Sequence, residues 1–363
     1  VANGAEIFVP WRLCLLGEHS DWAATHRRTH PDIPRGACLV TGTNHGLAAA
    51  AERSDALVIE TELADGSCPA PFRVDAAPTA LEGAARERGF FSYAAGTAAV
   101  VAERYAVRGL ALRIRSSLPV GRGLSSSAAI CVLVARAYSR AYELGLTERD
   151  EMELAYQGER RARSECGRMD QICAFGRRAS LLAFDGDDME IEPIATRTPI
   201  PLLVVDLRAG KDTRRILADL NACFPAAPGR VAANVRDALG AKNLALVANA
   251  RGAIEAGDAA QLGALMREAM ALFDAQIAPA SAELAAPKLH AVLAHDAVRA
   301  LAHGGKGVGS GGDGSAQLVA RGEAERAQLA ARLERDLGVA CLPLDLGAPA
   351  VAAPAAHRAR TPS

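Results

Sequence analysis

The sequence is poor in aromatic side chains and has almost no net charge. Phe, Trp and Tyr account for 4% of its 363 residues, and 41 Lys and Arg against 42 Asp and Glu leave a formal charge of −1. Few platforms exist on which unstacked bases can rest, and no overall field draws the chain to nucleic acid or to an anionic membrane. Any anion it binds is held by a local site. No apolar run reaches the roughly 18–20 residues that a membrane span needs, and residues 1–10 carry neither a basic stretch nor a signal-type apolar segment. The eight cysteines, Cys14, Cys38, Cys68, Cys131, Cys166, Cys173, Cys223 and Cys341, include no Cys-x-x-Cys pair and no cluster with His at zinc spacing. They are expected to be reduced, mostly buried thiols of a cytoplasmic protein with neither nucleic acid nor a membrane as partner.

What is plentiful is small and apolar. A hydrophobic fraction of 50% suffices for a sizeable core, 33 glycines imply many turns, and the length suggests about two domains. Ile7–Leu16 is expected to be a strand ended by Gly17, and the polar, basic segment Trp22–Arg35 an exposed loop. Short strands are expected at Ala37–Thr41, Gly46–Arg53 and Ala56–Glu60, then two helices across Leu81–Tyr105 broken near Gly89, and a strand Leu110–Ser116. Helices Ser126–Leu144 and Glu148–Ser164 and a strand pair, Ala179–Phe184 and Met189–Pro193, complete the first half. The Pro-bearing stretch Glu192–Pro201 is the expected boundary, dividing the chain into domains 1–195 and 196–346. Beyond it lie a strand Leu202–Asp206, helices at Lys211–Ala222, Ala232–Ala248, Asp258–Gln276 and Pro287–Ala302, a strand Ala316–Ala320, a helix Glu323–Leu337 and a strand Val339–Pro343. The Ala/Pro-rich tail 347–363 is expected to be disordered.

The strongest motif is Pro119-Val-Gly-Arg-Gly-Leu-Ser-Ser-Ser-Ala-Ala129, between an expected strand and helix. Its glycines let successive N–H groups curl inward, and the helix N-terminus adds partial positive charge, which makes an anion cradle suited to a triphosphate. The Gly-Lys-Ser/Thr ending of a Walker A loop is absent. The simpler reading is a turn followed by a helix capped by Ser125 or Ser126.

This segment resembles the Pro-x-x-x-Gly-Leu-x-Ser-Ser-Ala motif of the GHMP kinases, the family of galactokinase, homoserine kinase, mevalonate kinase and phosphomevalonate kinase. The resemblance continues in order along nearly the whole chain. Arg12, followed by Gly17-Glu18-His19-Ser20-Asp21, is similar to the first galactokinase motif. That similarity implies sugar-hydroxyl contacts for Glu18, His19 and Asp21 and places Arg12 beside the reacting hydroxyl. Arg12 also stands out by itself, because a charge inside an apolar strand is costly to bury unless paired, and Asp170 is the partner expected for it. Asp170 lies in Cys166-Gly-Arg-Met-Asp-Gln171, similar to the galactokinase segment whose Asp is the catalytic base. Glu159 and Ser127 inherit a Mg²⁺ site, the other ligands being phosphate oxygens and water; the simpler role for Glu159 is an ion pair with Arg163 at i+4. Eleven residues of straight helix would separate Glu159 from Asp170 by about 16 Å, so the chain must turn near Cys166-Gly167.

The Gly305–Ser315 segment resembles the third, glycine-rich motif, which places Gly309 and Gly311 with Gly121, Gly123, Leu124, Ser125, Ser126 and Ser127 among the ATP-binding residues. Asp313 departs from that pattern, and a carboxylate there must point away from phosphate, meet Mg²⁺ or bind hydroxyls. Phe90-Phe-Ser-Tyr93-Ala-Ala-Gly96 is similar to a galactokinase helix near the nucleotide, although its spacing equally suits a core. The basic residues His26, Arg27, Arg28, His30 and Arg35 between the first motif and the next strand can meet an acidic group, so galacturonic or glucuronic acid or a sugar phosphate competes with galactose.

The resemblance implies an α+β, two-domain GHMP kinase fold, an N-terminal ribosomal-protein-S5-like domain and a C-terminal ferredoxin-like domain with the active site in the cleft between them. It implies an ATP- and Mg²⁺-dependent kinase acting on a sugar hydroxyl, the anomeric one if the galactokinase analogy holds, as a monomer or homodimer. The competing readings are a mevalonate-type alcohol kinase and a catalytically silent sugar sensor.

Overall fold

The computed structural model describes residues 6–63, 66–87, 89–116, 126–164 and 166–347. Strand β1 (Ile7–Leu16) is buried along nearly its whole length, as its apolar run requires. It leads through α1 (Ser20–Ala24) and a 3-10 turn, Thr25–Arg28, into β2 (Gly36–Ser54), with which it pairs antiparallel. Two short strands were expected where β2 runs unbroken for 19 residues. The glycines inside it mark close approaches rather than breaks: a Cβ on Gly42 would lie 2.2 Å from the Gly176 carbonyl oxygen, and one on Gly46 2.2 Å from that of Val9.

Next come β3 (Ala56–Glu62), β4 (Phe72–Asp75), α2 (Pro78–Arg86), α3 (Phe91–Arg104) and β5 (Gly109–Ser116). Helices α4 (Ser126–Tyr142) and α5 (Glu148–Arg161) and the hairpin β6 (Ala179–Asp185) and β7 (Asp188–Ile194) follow. These strands form a seven-stranded sheet in the order β4-β3-β5-β2-β6-β7, with β1 also on β2. Among the described residues its one parallel pair is β3 with β5. Helix α5 begins with a capping box in which the Thr147 side chain accepts from the Asp150 N–H while the Asp150 carboxylate accepts from the Thr147 N–H.

The second half contains β8 (Ile200–Asp206), α6 (Thr213–Asn221), α7 (Arg230–Asp237), α8 (Asn243–Ala256), α9 (Ala259–Leu272), α10 (Pro287–Leu293) and α11 (Asp296–Leu301). Strands β9 (Ala302–Gly307) and β10 (Ser315–Ala320), helix α12 (Glu323–Leu337) and strand β11 (Ala340–Leu346) complete it. Its four strands are antiparallel in the order β11-β8-β10-β9, the order of a split βαβ arrangement. Two helices expected to be continuous are divided, Ala232–Ala248 by a π segment at Ala238–Lys242 and Pro287–Ala302 between Leu293 and Asp296.

The largest apolar cluster joins the two sheets, taking in Val9, Leu13 and Leu15 on one side and Ile200, Leu202 and Val319 on the other. Gln317 of β10 donates to the Cys14 carbonyl at 2.8 Å, so the second sheet is docked on β1. The segment Trp22–Arg35 is not the free loop expected from its polarity. Ala23 and Ile33 are buried with Ile216, Leu220 and Val235 in a separate cluster, and full burial of an Ile is worth about 1.5–3 kcal/mol. Its arginines also have partners: Arg27 Nε lies 2.5 Å and Arg35 Nε 2.8 Å from Asp185, and Arg28 pairs with Asp187. Among the described residues, no helix is long and apolar enough to cross a membrane.

Candidate active site

Arg12 issues from β1 at a register shift between Pro10 and Arg12 and is 4% exposed. Its Nε donates to Asp170 Oδ1 at 2.9 Å, and Nη2 donates to the same oxygen. Burial works to lower the guanidinium, but the charge and hydrogen bonds of Asp170, together with the charges of Cys14 and Asp21, outweigh it and hold Arg12 above its ordinary range. The buried Nη1 has no hydrogen-bond partner among the described residues. Asp170 opens the 3-10 turn Asp170–Phe175, and the chain reverses before it as the spacing from Glu159 demanded.

Asp21, buried in the first turn of α1, completes this group. A Cβ on Gly167 would fall 1.8 Å from Asp21 Oδ2, so only glycine lets the carboxylate sit there. Burial, then the charge of Asp170, pushes Asp21 up to about 6, against the opposing pull of the Trp22 and Met169 backbone and of Arg12. The folded chain therefore binds this proton more tightly than the unfolded one. The resulting stabilisation is complete below about pH 4 and is lost as pH rises through 6, a fall of up to about 3 kcal/mol. Urea midpoints recorded from pH 4 to 6 should fall more, or rise less, in the native protein than in Asp21→Asn, which keeps the contributions of Glu159, falling with pH, and of His19, rising with it; identical slopes in both would remove Asp21 as a source.

Glu159, 2% exposed, lies on the inward side of α5 beside the start of α4. Ser127 Oγ donates to its Oε1 and Gln171 Nε2 to its Oε2, each at 2.7 Å. Burial, reinforced by the charge of Asp170, raises Glu159 to about 7. The alternative pair with Arg163 does not form, because Glu159 is turned into the protein and Arg163 lies past the end of the helix with a left-handed φ of 60°. The Gln171 Oε1 atom is buried without a hydrogen-bond partner among the described residues. A carboxylate, a hydroxyl and an unengaged amide oxygen form a hard donor set that fits Mg²⁺. Among the described residues there is no group of three or more His, Cys, Asp and Glu that could hold a metal, so a cation here would take its remaining ligands from phosphate and water.

The other residues of the first motif are engaged differently from expectation. Glu18 lines the cleft but pairs with Lys306 of β9, Nζ to Oε1 at 2.5 Å, with both side chains about nine-tenths buried. His19 is buried, and burial lowers it to about 4, so its ring is neutral. Trp22 Nε1 donates to His19 Nδ1 at 3.0 Å, which leaves Nε2 to carry the proton and face the Ser310 carbonyl at 3.3 Å. Both nitrogens of His19 are engaged inside the protein, where the ring ties α1 to the glycine-rich loop while also lining the cleft. Asp21 is the member of the expected trio whose carboxylate is not matched to a dedicated cation.

The Gly305–Ser315 segment is also corrected, since its first three residues belong to β9 rather than to a loop. Gly309, with a left-handed φ of 67°, lines the cleft. Gly311 turns its carbonyl toward Lys211 Nζ at 2.8 Å. Asp313 points away from the cleft, accepting from the Leu289 N–H at 2.9 Å in the first turn of α10. Phe90, Phe91 and Tyr93 pack against the main core, the structural role their spacing allowed. Ser126 and Ser127 line the cleft; Gly121, Gly123, Leu124 and Ser125 lie outside the described residues.

Sequence reasoning missed Lys211 and Lys306. A signal existed: the chain has four lysines, Lys211, Lys242, Lys288 and Lys306, among 41 basic residues, and two of the four are at this site. Lys211, partly buried, is lowered to about 8 by burial and by Arg12, with Glu18 opposing. The cleft has a volume of about 270 Å³, and its wall runs from Arg12, Asp21 and Asp170 past Ser127 to Lys211 and Ser310.

A cleft of this kind, between a mixed seven-stranded sheet and a split-βαβ sheet, defines the class as the two-domain α+β fold of the GHMP kinases. Residues 92–177 match the GHMP kinases N terminal domain, and the rest of the chain is similar to GHMP kinases in fold. It is 30% identical over 213 residues to a galactokinase of Mycobacterium tuberculosis, covering 55% of this chain and 52% of that one. The chain spans about half the length of the curated relatives it matches. In fold it is similar to Lactococcus lactis galactokinase complexed with galactose, with a TM-score of 0.70 at 17% identity over 94% of this chain and 93% of the other. It is also similar to L. major mevalonate kinase in complex with R-mevalonate, with a TM-score of 0.68 at 18% identity over 96% and 98% of the two chains.

Proposed function

We propose that the protein is an ATP-dependent kinase that transfers the γ-phosphoryl group to a sugar hydroxyl, the anomeric one. The observation that carries this reading is the pair of buried Arg12 and partly exposed Asp170, with Asp21 beside it, sharing one cleft with Ser126 and Ser127. Phosphoryl transfer asks for in-line positioning, neutralisation of charge and a destination for the acceptor proton. Asp170 is the base: Oδ1 is held by Arg12, and the carboxylate orients the hydroxyl and takes its proton. Arg12 Nη1, with no partner of its own, is available to the oxygen that gains charge. Asp21 accepts from a second sugar hydroxyl. Ser126 and Ser127, at the N-terminus of α4, and Gly309 receive the nucleotide phosphates. Glu159 and Ser127, with Gln171 Oε1, would hold Mg²⁺, which supplies neutralisation of phosphate charge when bound. We place the domain boundary at 195/196, between β7 and β8.

The galactokinase relatives and the Met169-Asp170-Gln171 segment favour a sugar over mevalonate. A coupled ADP-release screen over neutral sugars, uronic acids, sugar phosphates and mevalonate tests the reading. Turnover with one or more sugars is expected. ADP released with mevalonate alone would replace the sugar by a non-sugar alcohol, and sugar binding without turnover would make the protein a sensor.

A further inference from the structure

We propose that Lys211 receives a carboxylate carried by the sugar, so that the acceptor class is a hexuronic acid rather than a neutral hexose. The proposal rests on the kinase reading above and deepens it.

The argument begins with charge. Arg12 is tied to Asp170 and Lys306 to Glu18, whereas no carboxylate among the described residues lies at ion-pair distance from Lys211. Its ammonium spends one donor on the Gly311 carbonyl and keeps two for the cleft it lines. A partly buried ammonium without a counter-charge is costly, and a ligand anion offsets that cost.

The charges around Lys211 favour the sugar over ATP as the carrier of the anion. The charges that act on Lys211 are those of Arg12 and Glu18, on the wall shared with His19 and Trp22. Thr213 Oγ1 and Ser310 Oγ, 3.3 Å apart, continue that wall. The exposed Arg214 is a cation whose charge, like that of Glu159, reaches Tyr93. Charge balance then selects the chemical group. One monovalent cation matches one carboxylate, whereas a phosphate dianion would leave a charge unmatched in a cleft that already holds Glu18, Asp21 and Asp170. The basic residues first suspected of this role are engaged elsewhere: Arg27, Arg28 and Arg35 are paired with Asp185 and Asp187, His26 is stacked on Phe224 and His30 Nδ1 is 2.9 Å from Thr29 Oγ1.

The test measures ADP release with galacturonate, glucuronate, galactose, glucose and the corresponding hexose 6-phosphates, using native protein, Lys211→Met and Lys211→Arg. Calorimetric titration of the same sugars without nucleotide runs in parallel. The native protein is expected to have its highest kcat/KM with a hexuronate. Lys211→Met should raise the hexuronate KM by roughly 10- to 100-fold, the loss of one charged hydrogen bond, while Lys211→Arg recovers part of it. Preference for a neutral hexose or a 6-phosphate by the native protein would overturn the proposal, even if Lys211→Met failed to fold. So would a rise in the KM for ATP in place of that for the hexuronate. Hexuronate binding that depends on Lys211, with no ADP released from any sugar, would sustain Lys211 and remove the kinase reading. ADP release from neutral sugars alone would do the reverse.

Discussion

Asp170→Asn is expected to lower kcat by a factor on the order of 10²–10⁴, the range for loss of a general base, while nucleotide affinity measured by calorimetry stays near the native value. The Asn side chain retains an oxygen to accept from Arg12, so the local geometry is largely kept and the proton acceptor is lost. A second consequence separates this outcome from simple misfolding. Asp21 is pushed up in part by the charge of Asp170, and without that charge its carboxyl should titrate at lower pH. A pH series of NMR carboxyl shifts in native protein and variant reads this directly. Near-native turnover would remove Asp170 from the base role, and an unmoved Asp21 would show that burial alone sets its value.

Lys306→Met is expected to destabilise the fold by about 3–5 kcal/mol, the usual consequence of stranding one partner of a buried ion pair. Glu18 and Lys306 join the end of β1 to β9 of the second sheet, so the loss falls on the contact between the two sheets. Lys306 also donates to the Gly307 carbonyl at 2.8 Å, and that bond is lost as well. Urea unfolding of Lys306→Met, Glu18→Gln and the double variant checks the assignment. The double variant should be more stable than Lys306→Met, because the uncompensated carboxylate is gone. Strict additivity of the two single effects would mean that the residues act independently.

The pairing of Arg12 with Asp170 was legible because a charge inside an apolar strand demands a partner whatever the fold, and the spacing of the carboxylates announced a turn between Glu159 and Asp170. Strand β1, helices α4 and α12 and the β6–β7 hairpin were equally legible from periodicity. Strand β9 was not. Half of its six residues are glycines, and strand preference is largely a matter of how side chains pack on a pleated surface, so a strand with few side chains carries little signal. In β2 the glycines read as interruptions, whereas they are the points where the neighbouring backbone comes closest.

Polarity misled in the same way at Trp22–Arg35. Side chains suited to solvent or to an acidic ligand are instead matched to Asp185 and Asp187, about 150 residues further along the chain. No local pattern foretells a partner that distant.

The sequence by itself therefore determined the phosphate-loop motif, the order of the site residues and the need for an Arg12 counter-ion, because these follow from local spacing and the cost of burying charge. Tertiary structure alone decided that Glu18 and His19 face partners inside the protein, that Asp313 accepts from the start of a helix, and that Lys211 stands in the cleft without a counter-charge. A hydrogen-bonding group is available to a ligand only when the fold has not already satisfied it, and that is settled where distant segments meet.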